Sequence, residues 1–233
     1  MEFDNMPRIP RSLCLIPGLS AHKTWRGHNK EFNLGSSDEK SYYLDLLNQE
    51  LAKQQSVIQA ITLMDNHSHE QYFIHDVHEF SCLMRRHHGR YGFFFNQKHQ
   101  RRGKVAQDRP HTSSIENNDL HEMTVLFYIH ANPVRANLTK NAANYKWSTH
   151  KLYAFGKKDP WMRNIQFPEW YMKLGKSMSE RQKKYRKLFD AYLKERGLIK
   201  IRFSEYGYGS WVWILQRKQH VRSAIKNNSH SPP

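Results

Sequence analysis

The chain has little cysteine and no long apolar run, and both shortages exclude whole classes of protein. Its 233 residues include two cysteines, Cys14 and Cys82, which are too few for a disulfide framework or a cysteine-based zinc cluster. No apolar stretch approaches the roughly 20 residues that span a bilayer, and no signal-peptide core follows the basic N-terminal residues. These absences predict a soluble, cytoplasmic protein without a membrane anchor.

Acidic residues are also scarce relative to basic ones. The chain has 21 Asp and Glu against 37 Lys and Arg, which gives a net charge of +16. Such a balance favours a polyanionic partner, most simply nucleic acid, with an anionic membrane surface or a merely soluble basic protein as alternatives. A hydrophobic content of 38% and an aromatic content of 13% are sufficient for a folded core.

Helical and strand periodicities divide most of the chain into elements, and Ser36 and Glu39 have the spacing of a helix-capping box. An aromatic stretch over 91–96 is predicted to lead into a turn. The predicted elements are an extended segment over 1–13, strands over 15–25, 57–64 and 70–74, helices over 36–51, 76–90, 120–133 and 180–196, and a disordered polar tail over 227–233.

Two histidines two residues apart stand at the entry to the third predicted strand. His67 and His69 follow the turn residues Asp65 and Asn66. Alternate residues of a strand share a face, so both imidazoles can reach one metal ion. In a chain with 15 histidines, a packed or solvated pair without a metal is the alternative.

The helix predicted over 120–133 carries Tyr128 and Asn132 four residues apart, on one face. If His67, His69 and Asn132 converge, two imidazole nitrogens and an amide oxygen would hold a divalent ion such as Mg²⁺ or Mn²⁺. Tyr128 would then bring its phenol to a phosphodiester beside the metal, where it can act as a nucleophile. A core tyrosine with its hydroxyl at the helix edge is the structural alternative.

Basic side chains lie next to aromatic ones around the stretch over 91–96. This combination suits nucleic acid, because charge holds phosphates and aromatic faces stack on unpaired bases. A solvated loop beside an ordinary aromatic core is the alternative. The candidate DNA-binding residues near this stretch are Arg85, Arg86, Arg90, Arg101, Arg102 and Arg109, and the candidates elsewhere in the chain are Arg26 and Arg135.

A series of short motifs runs in fixed order over residues 6–150. They are Met6 to Arg11, His22 to Gly27, Leu63 to His69, Leu83 to Arg86 with Tyr91 and Asn96, Gly103 with Arg109, Tyr128 to Ala136, and Tyr145 to Ser148. With these separations, the chain resembles the REP-associated tyrosine transposases of the HUH single-tyrosine superfamily.

The resemblance implies an α+β fold, with a ferredoxin-like antiparallel sheet that has helices on one face and the histidine pair on a central strand. It implies that residues 1–155 form an HUH-type transposase catalytic domain. The character of the chain changes after Ser148, so residues 156–233 are predicted to be a basic, mostly helical C-terminal extension.

The resemblance also implies an activity: a metal-dependent single-stranded DNA endonuclease and strand transferase that acts on palindromic stem-loop DNA through a 5′-phosphotyrosine. The family's histidine pair falls on His67 and His69, its nucleophile on Tyr128 and its third ligand on Asn132, with Mg²⁺ or Mn²⁺ as the metal. A monomer or a homodimer is compatible with it. The alternatives are a non-catalytic DNA- or RNA-binding protein on this scaffold, and a nuclease in which an activated water attacks.

The chain departs from the family's pattern around the histidines. Asp65 replaces the usual proline, Ser68 replaces an apolar residue, and Glu70 replaces the start of an apolar run. By strand parity, Ser68 and Glu70 face away from the histidines. They are therefore predicted to weaken packing without removing a ligand.

Overall fold

In the computed structural model, which describes residues 9–196 and 199–229, four strands form one antiparallel sheet. The strands are β1 (Leu19–Arg26), β2 (Val57–Leu63), β3 (His67–Ile74) and β4 (His111–Ser114). Their order in the sheet is β2-β3-β1-β4, with β3 and β1 central. This is the ferredoxin-like arrangement, so the predicted α+β fold is confirmed.

Helices surround the sheet. Within the described residues they are α1 (Arg11–Cys14), α2 (Ser37–Leu51), α3 (Val77–Lys98), α4 (Asp119–Arg135), α5 (His150–Phe155), α6 (Glu169–Lys173), α7 (Met178–Arg196) and α8 (Trp211–Ser229). None of these helices is long and apolar enough to cross a membrane. The predicted capping box opens α2, since Ser36 Oγ accepts from the Glu39 amide and the Glu39 carboxylate accepts from the Ser36 amide.

Each face of the sheet carries its own core. On one face, α2 and α3 pack on Trp25 of β1 and Tyr72 of β3. On the other face, α4 packs on β2 and β3 and covers Ala60. The prediction of helices on one face therefore holds for α2 and α3 and is wrong for α4. α4 is apolar on most sides, so it needs packing partners all round. The second face of the sheet, together with α5 to α7, supplies these partners.

The C-terminal extension contributes to the core around α4. Tyr185 and Phe189 of α7 lie with ring centroids 5.4 and 5.5 Å from that of Phe127. The His130 Nδ1 atom lies 2.6 Å from the Tyr185 hydroxyl. The basic amphipathic helix predicted over 180–196 is thus α7, with its aromatic side packed on α4. The boundary at residue 155 stays a prediction.

Two predicted segments near the N-terminal half are different in the structure. Arg11–Cys14 form the short helix α1, where an extended segment was predicted over 1–13; residues 1–8 lie outside the described residues. The turn predicted after 91–96 comes two residues later, at 99–100, because α3 continues to Lys98. Tyr91 and Phe95, four residues apart, extend the buried stripe of α3 by another turn.

Helix ends later in the chain also differ from prediction. α4 continues past Pro133 to Arg135. Proline has no N–H to donate to the Ile129 carbonyl, and the Asn132 Nδ2 atom donates to this carbonyl at 3.4 Å instead. Near the C-terminus, residues 227–229 belong to α8 and were predicted to be disordered; 230–233 lie outside the described residues.

The polar residues that interrupt the family pattern on β3 are buried and paired. Ser68 and Glu70 face away from the histidines, as strand parity predicts. Lys23, opposite Glu70 on β1, donates to its carboxylate at 2.7 Å and to the Ser68 hydroxyl at 3.2 Å. The sequence prediction of weaker packing did not include this pairing, since the partner comes from the neighbouring strand.

Candidate functional site

The histidine pair lies on a central strand of the sheet. The His67 and His69 rings point to the same face, with centroids 4.9 Å apart. Across the sheet, Arg26 is opposite His67 and Thr24 is opposite His69. His69 is 6% exposed and His67 is half-buried, so the pair sits at the edge of the interior, where a ligand can reach it.

Both histidines have their Nδ1 atoms occupied by hydrogen bonds. The His67 Nδ1 atom donates to the Asn66 Oδ1 atom at 2.6 Å, because an amide oxygen can only accept. The His69 Nδ1 atom lies 3.0 Å from His22 Nε2 and 3.3 Å from Thr24 Oγ1. Such contacts fix ring orientation, and they leave Nε2 of each histidine as the atom that can bind a ligand.

Both imidazoles are neutral near pH 7. Burial, and then the positive charges of Arg26, Lys200 and Arg135, lowers the pKa of His67 to about 4. Burial also moves the pKa of His69 well below its usual range, with smaller contributions from the neighbouring histidines. A neutral imidazole offers a lone pair, so protons do not compete with a metal ion at these nitrogens.

α4 brings Tyr128 to the histidines. Asn118 caps the helix by accepting hydrogen bonds from the amides of Leu120 and His121. The Tyr128 ring stands edge-on to His69, with centroids 5.4 Å apart, and is 2% exposed. The structure therefore brings His67, His69 and Tyr128 together from two elements that are far apart in the chain.

The environment of Tyr128 combines burial with positive charge. The Arg135 guanidinium lies 4.2 Å from the centroid of its ring. Burial raises the pKa of the Tyr128 phenol, while the charges of Arg135 and Arg26 oppose that rise. The phenol is therefore protonated at neutral pH, and the two arginines stabilise negative charge that develops on its oxygen or on a phosphate beside it.

Asn132 lies one turn after Tyr128, and both ends of its amide are occupied. The Nδ2 atom donates to the carbonyl of Tyr128 at 2.8 Å, which turns the Oδ1 atom away from the helix backbone. Arg135 donates to this oxygen. A metal ion bound to this oxygen would lie beside the Arg135 guanidinium, whose positive charge would repel the ion unless Arg135 moved. No group of three or more His, Cys, Asp or Glu side chains in the described part of the chain could hold a metal ion.

Sequence reasoning missed two residues that pack on this site, His22 and Phe203. The ring of Phe203 stacks on His22 with centroids 3.8 Å apart and lies 5.5 Å from that of Tyr128. The available signal for His22 was strand parity with Thr24. No local signal marks Phe203, because its segment reaches the site through contacts such as that between the Tyr208 amide and the Ser114 carbonyl.

The predicted DNA-binding arginines fall into separate groups. Arg26 and Arg135 lie at the histidine site. Arg85 and Arg109 line a cleft beside α3, on the other face of the sheet. Of the remaining arginines, Arg86 and Arg90 both pair with Glu50. Arg101 pairs with Glu31, and Arg102 is exposed in the loop after α3.

Glu50 is expected to contribute to stability more than to DNA binding. Its carboxylate is 1% exposed and accepts from Lys53, Arg86 and Arg90 at 2.7–2.9 Å. Burial alone would raise its pKa, but these hydrogen bonds lower the pKa to about 2. Glu50→Gln should therefore cost about 1–3 kcal/mol of unfolding free energy at pH 7, measured by urea denaturation.

The contribution of Glu50 to stability is expected to change with pH in one direction. A carboxylate whose pKa falls on folding stabilises the protein above its unfolded pKa, and this contribution disappears as pH falls towards 2. The difference between wild type and Glu50→Gln should therefore shrink from pH 7 to pH 3. Glu31→Gln, which alters a carboxylate that is 40% exposed, is the control and should cost under about 1 kcal/mol. A difference independent of pH would contradict the assignment.

Comparisons with known proteins support the fold through a solved structure. No protein-family model matches the chain, and no curated protein matches it. Among solved structures, the chain is similar to the REP-associated tyrosine transposase bound to a REP hairpin, with a TM-score of 0.50 and 19% identity over 62% of this chain and 84% of that chain. The protein therefore has the fold of a REP-associated tyrosine transposase.

Proposed function

We propose that the protein is a transposase: a metal-dependent, single-stranded DNA endonuclease and strand transferase that uses Tyr128 as its nucleophile on palindromic stem-loop DNA. The observation that carries this proposal is the position of Tyr128, edge-on to His69 at 5.4 Å and beside the His67–His69 pair. The protein of similar fold binds a REP hairpin, and the net charge of +16 suits such a polyanion.

The reaction follows from the position of the phenol. The Tyr128 oxygen attacks the phosphorus of a phosphodiester while the bond from phosphorus to the 3′ oxygen breaks, and the proton lost by the phenol is balanced by the proton that the leaving 3′ oxygen gains. The released strand leaves with a 3′-hydroxyl, and the 5′ side stays attached to Tyr128 as a phosphotyrosine. Attack by a 3′-hydroxyl on this phosphotyrosine is the reverse of the cleavage reaction. It releases Tyr128 and joins two strands without an added energy source.

The residues present fit a divalent ion at the histidine pair. The Nε2 atoms of His67 and His69 would hold it, together with the Asn132 oxygen after Arg135 has moved. Bound there, Mg²⁺ or Mn²⁺ supplies Lewis-acid polarisation of the phosphoryl oxygen. Arg26 adds positive charge beside Tyr128, where the attacking oxygen and the phosphate carry negative charge.

A covalent-adduct assay tests this proposal. The protein is incubated with end-labelled stem-loop DNA and Mn²⁺ or Mg²⁺, boiled in detergent and separated by size. We expect label at the mass of the protein plus the 5′ fragment, and its loss with EDTA. His67→Ala with His69→Ala should lower adduct formation by at least about 100-fold, since losing ligands removes the metal. His75→Ala, on an exposed histidine after β3, is the control.

A second candidate function is supported by the state of Asn132. Its oxygen, which was predicted to be the third metal ligand, already accepts a hydrogen bond from the positively charged Arg135. A non-catalytic DNA- or RNA-binding protein on this scaffold would keep that contact permanently. Hairpin binding that is indifferent to EDTA and to His67→Ala with His69→Ala, and that gives no cleavage with either metal, would favour it. Metal-dependent cleavage would exclude it.

A further inference from the structure

His22 lies inside the sheet, on the face that carries the histidine pair. It is on β1, opposite Gln71 of β3 and Ser113 of β4, so strands on both sides fix its backbone. His69 is two residues from Gln71 along β3, which makes it the diagonal neighbour of His22 on that face. The His22 side chain is closed off from solvent, since the residue is 1% exposed. It therefore acts on the site through the side chains that it contacts.

The ring of His22 meets the ring of His69 edge to edge. The His22 Nε2 atom lies 3.0 Å from His69 Nδ1, while the ring centroids are 5.2 Å apart and the ring planes differ by 22°. Rings in face-to-face contact have closer centroids, as Phe203 and His22 do at 3.8 Å. The lone pair of an imidazole nitrogen lies in the ring plane, so the edge contact between the two histidines is a hydrogen bond.

One proton lies between these two nitrogens, and its position decides what His69 can bind. If His69 Nδ1 carries the proton, His22 Nε2 accepts it, and the Nε2 atom of neutral His69 has an unprotonated lone pair. If His22 Nε2 carries the proton, His69 accepts at Nδ1, and the remaining proton of His69 occupies Nε2. The two forms share one geometry, but only the first can bind a metal ion through His69.

We propose that His22 is a positioning residue: it accepts the hydrogen bond from His69 Nδ1 and so keeps the Nε2 atom of His69 open to a divalent ion. Phe203 stacks face to face on His22 and holds its ring in the plane that directs Nε2 at His69. The role of the ion rests on the proposed function. The direction of the hydrogen bond does not, because it concerns two side chains of this chain alone.

Thr24 makes the acceptor role of His22 consequential. The Thr24 hydroxyl lies 3.3 Å from His69 Nδ1, and a hydroxyl can either donate or accept. Without His22, Thr24 can donate to Nδ1, which places the proton of His69 on Nε2. Loss of His22 should therefore weaken metal binding although both histidines of the pair remain.

Three substitutions at position 22 separate this role from packing. His22→Leu fills the space with an apolar side chain and removes the acceptor. His22→Gln can bring an amide oxygen to the place of Nε2, whereas His22→Asn carries the same amide one methylene shorter and should not reach His69. His87→Leu is the matched control. His87 is 0% exposed, and its Nε2 atom lies 2.9 Å from the Tyr43 carbonyl, on the side of the sheet covered by α2 and α3.

Metal affinity is measured by titrating the DNA-free protein with Mn²⁺ and following the electron paramagnetic resonance signal of the unbound ion. His22→Leu and His22→Asn should weaken binding by about 10–100-fold, the loss typical of a residue that orients a metal ligand. His22→Gln should restore most of the affinity. His87→Leu should lower the melting temperature and leave the affinity unchanged. If His22→Leu does not fold, the comparison of His22→Asn with His22→Gln makes the same test.

A second arm locates the proton directly. Nitrogen NMR shifts of ring-labelled histidine distinguish protonated from unprotonated ring nitrogens without metal or DNA, and a His69→Ala spectrum assigns the His69 signals. Wild type should show His69 protonated at Nδ1, and His22→Leu should move that proton to Nε2.

The two arms separate the failure of this proposal from the failure of the proposed function. If wild type binds no Mn²⁺, the proposed function fails, and the NMR spectra still decide the direction of the hydrogen bond. The role of His22 is overturned if wild-type His69 is protonated at Nε2, or if His22→Leu changes neither the His69 tautomer nor the Mn²⁺ affinity.

Discussion

Replacing Tyr128 by phenylalanine is expected to abolish the covalent protein–DNA adduct and to lower cleavage by at least about 10⁴-fold. The substitution removes only the oxygen that attacks phosphorus. The ring keeps its edge-on contact with His69, its contact with Phe203 and its position under Arg135. Hairpin affinity and melting temperature should therefore stay close to those of wild type, and single-turnover cleavage assays should show a loss confined to the chemical step.

A second tyrosine provides the control for this loss. Tyr192 of α7 packs beside Phe127 and is 8% exposed. Tyr192→Phe therefore also removes one hydroxyl from the core around α4. Its adduct yield should equal that of wild type. Cleavage by Tyr128→Phe at an undiminished rate, without an adduct, would show that an activated water is the nucleophile and that Tyr128 is structural.

Replacing Lys23 by methionine is expected to cost about 3–5 kcal/mol of unfolding free energy. Lys23 and Glu70 form an ion pair at 2.7 Å, and both side chains are 0% exposed. Removal of the ammonium leaves the Glu70 carboxylate buried without a counter-charge. Burial lowers the pKa of Lys23 to about 8, although the charge of Glu70 opposes this shift. The charged ammonium is therefore costly to bury, and Glu70 offsets part of that cost. Denaturant unfolding at neutral pH measures the loss.

A double replacement tests whether the cost comes from the unpaired charge. Glu70→Gln in the Lys23→Met background removes that charge, and the amide oxygen can still accept from Tyr43. We expect it to recover more than half of the lost stability. Lys40→Met is the control, because its partner Asp65 is 42% exposed, and it should cost no more than about 1 kcal/mol. A double variant no more stable than Lys23→Met would refute the explanation.

Local chemistry determined the parts of this protein that the sequence predicted well. The capping box at Ser36 and Glu39 fixed the start of α2, because its hydrogen bonds involve residues three apart. Strand parity placed His67 and His69 on one face and Ser68 on the other, since side chains alternate along any strand. Tyr128 and Asn132 lie on one face of α4 because residues four apart are neighbours on a helix surface.

Tertiary structure alone decided what surrounds those residues. The partner of Glu70 is Lys23 on another strand, and the aromatic neighbour of His22 is Phe203 from beyond α7. Periodicity specifies which face of an element a residue occupies, but packing between distant segments determines which residues of those segments meet there.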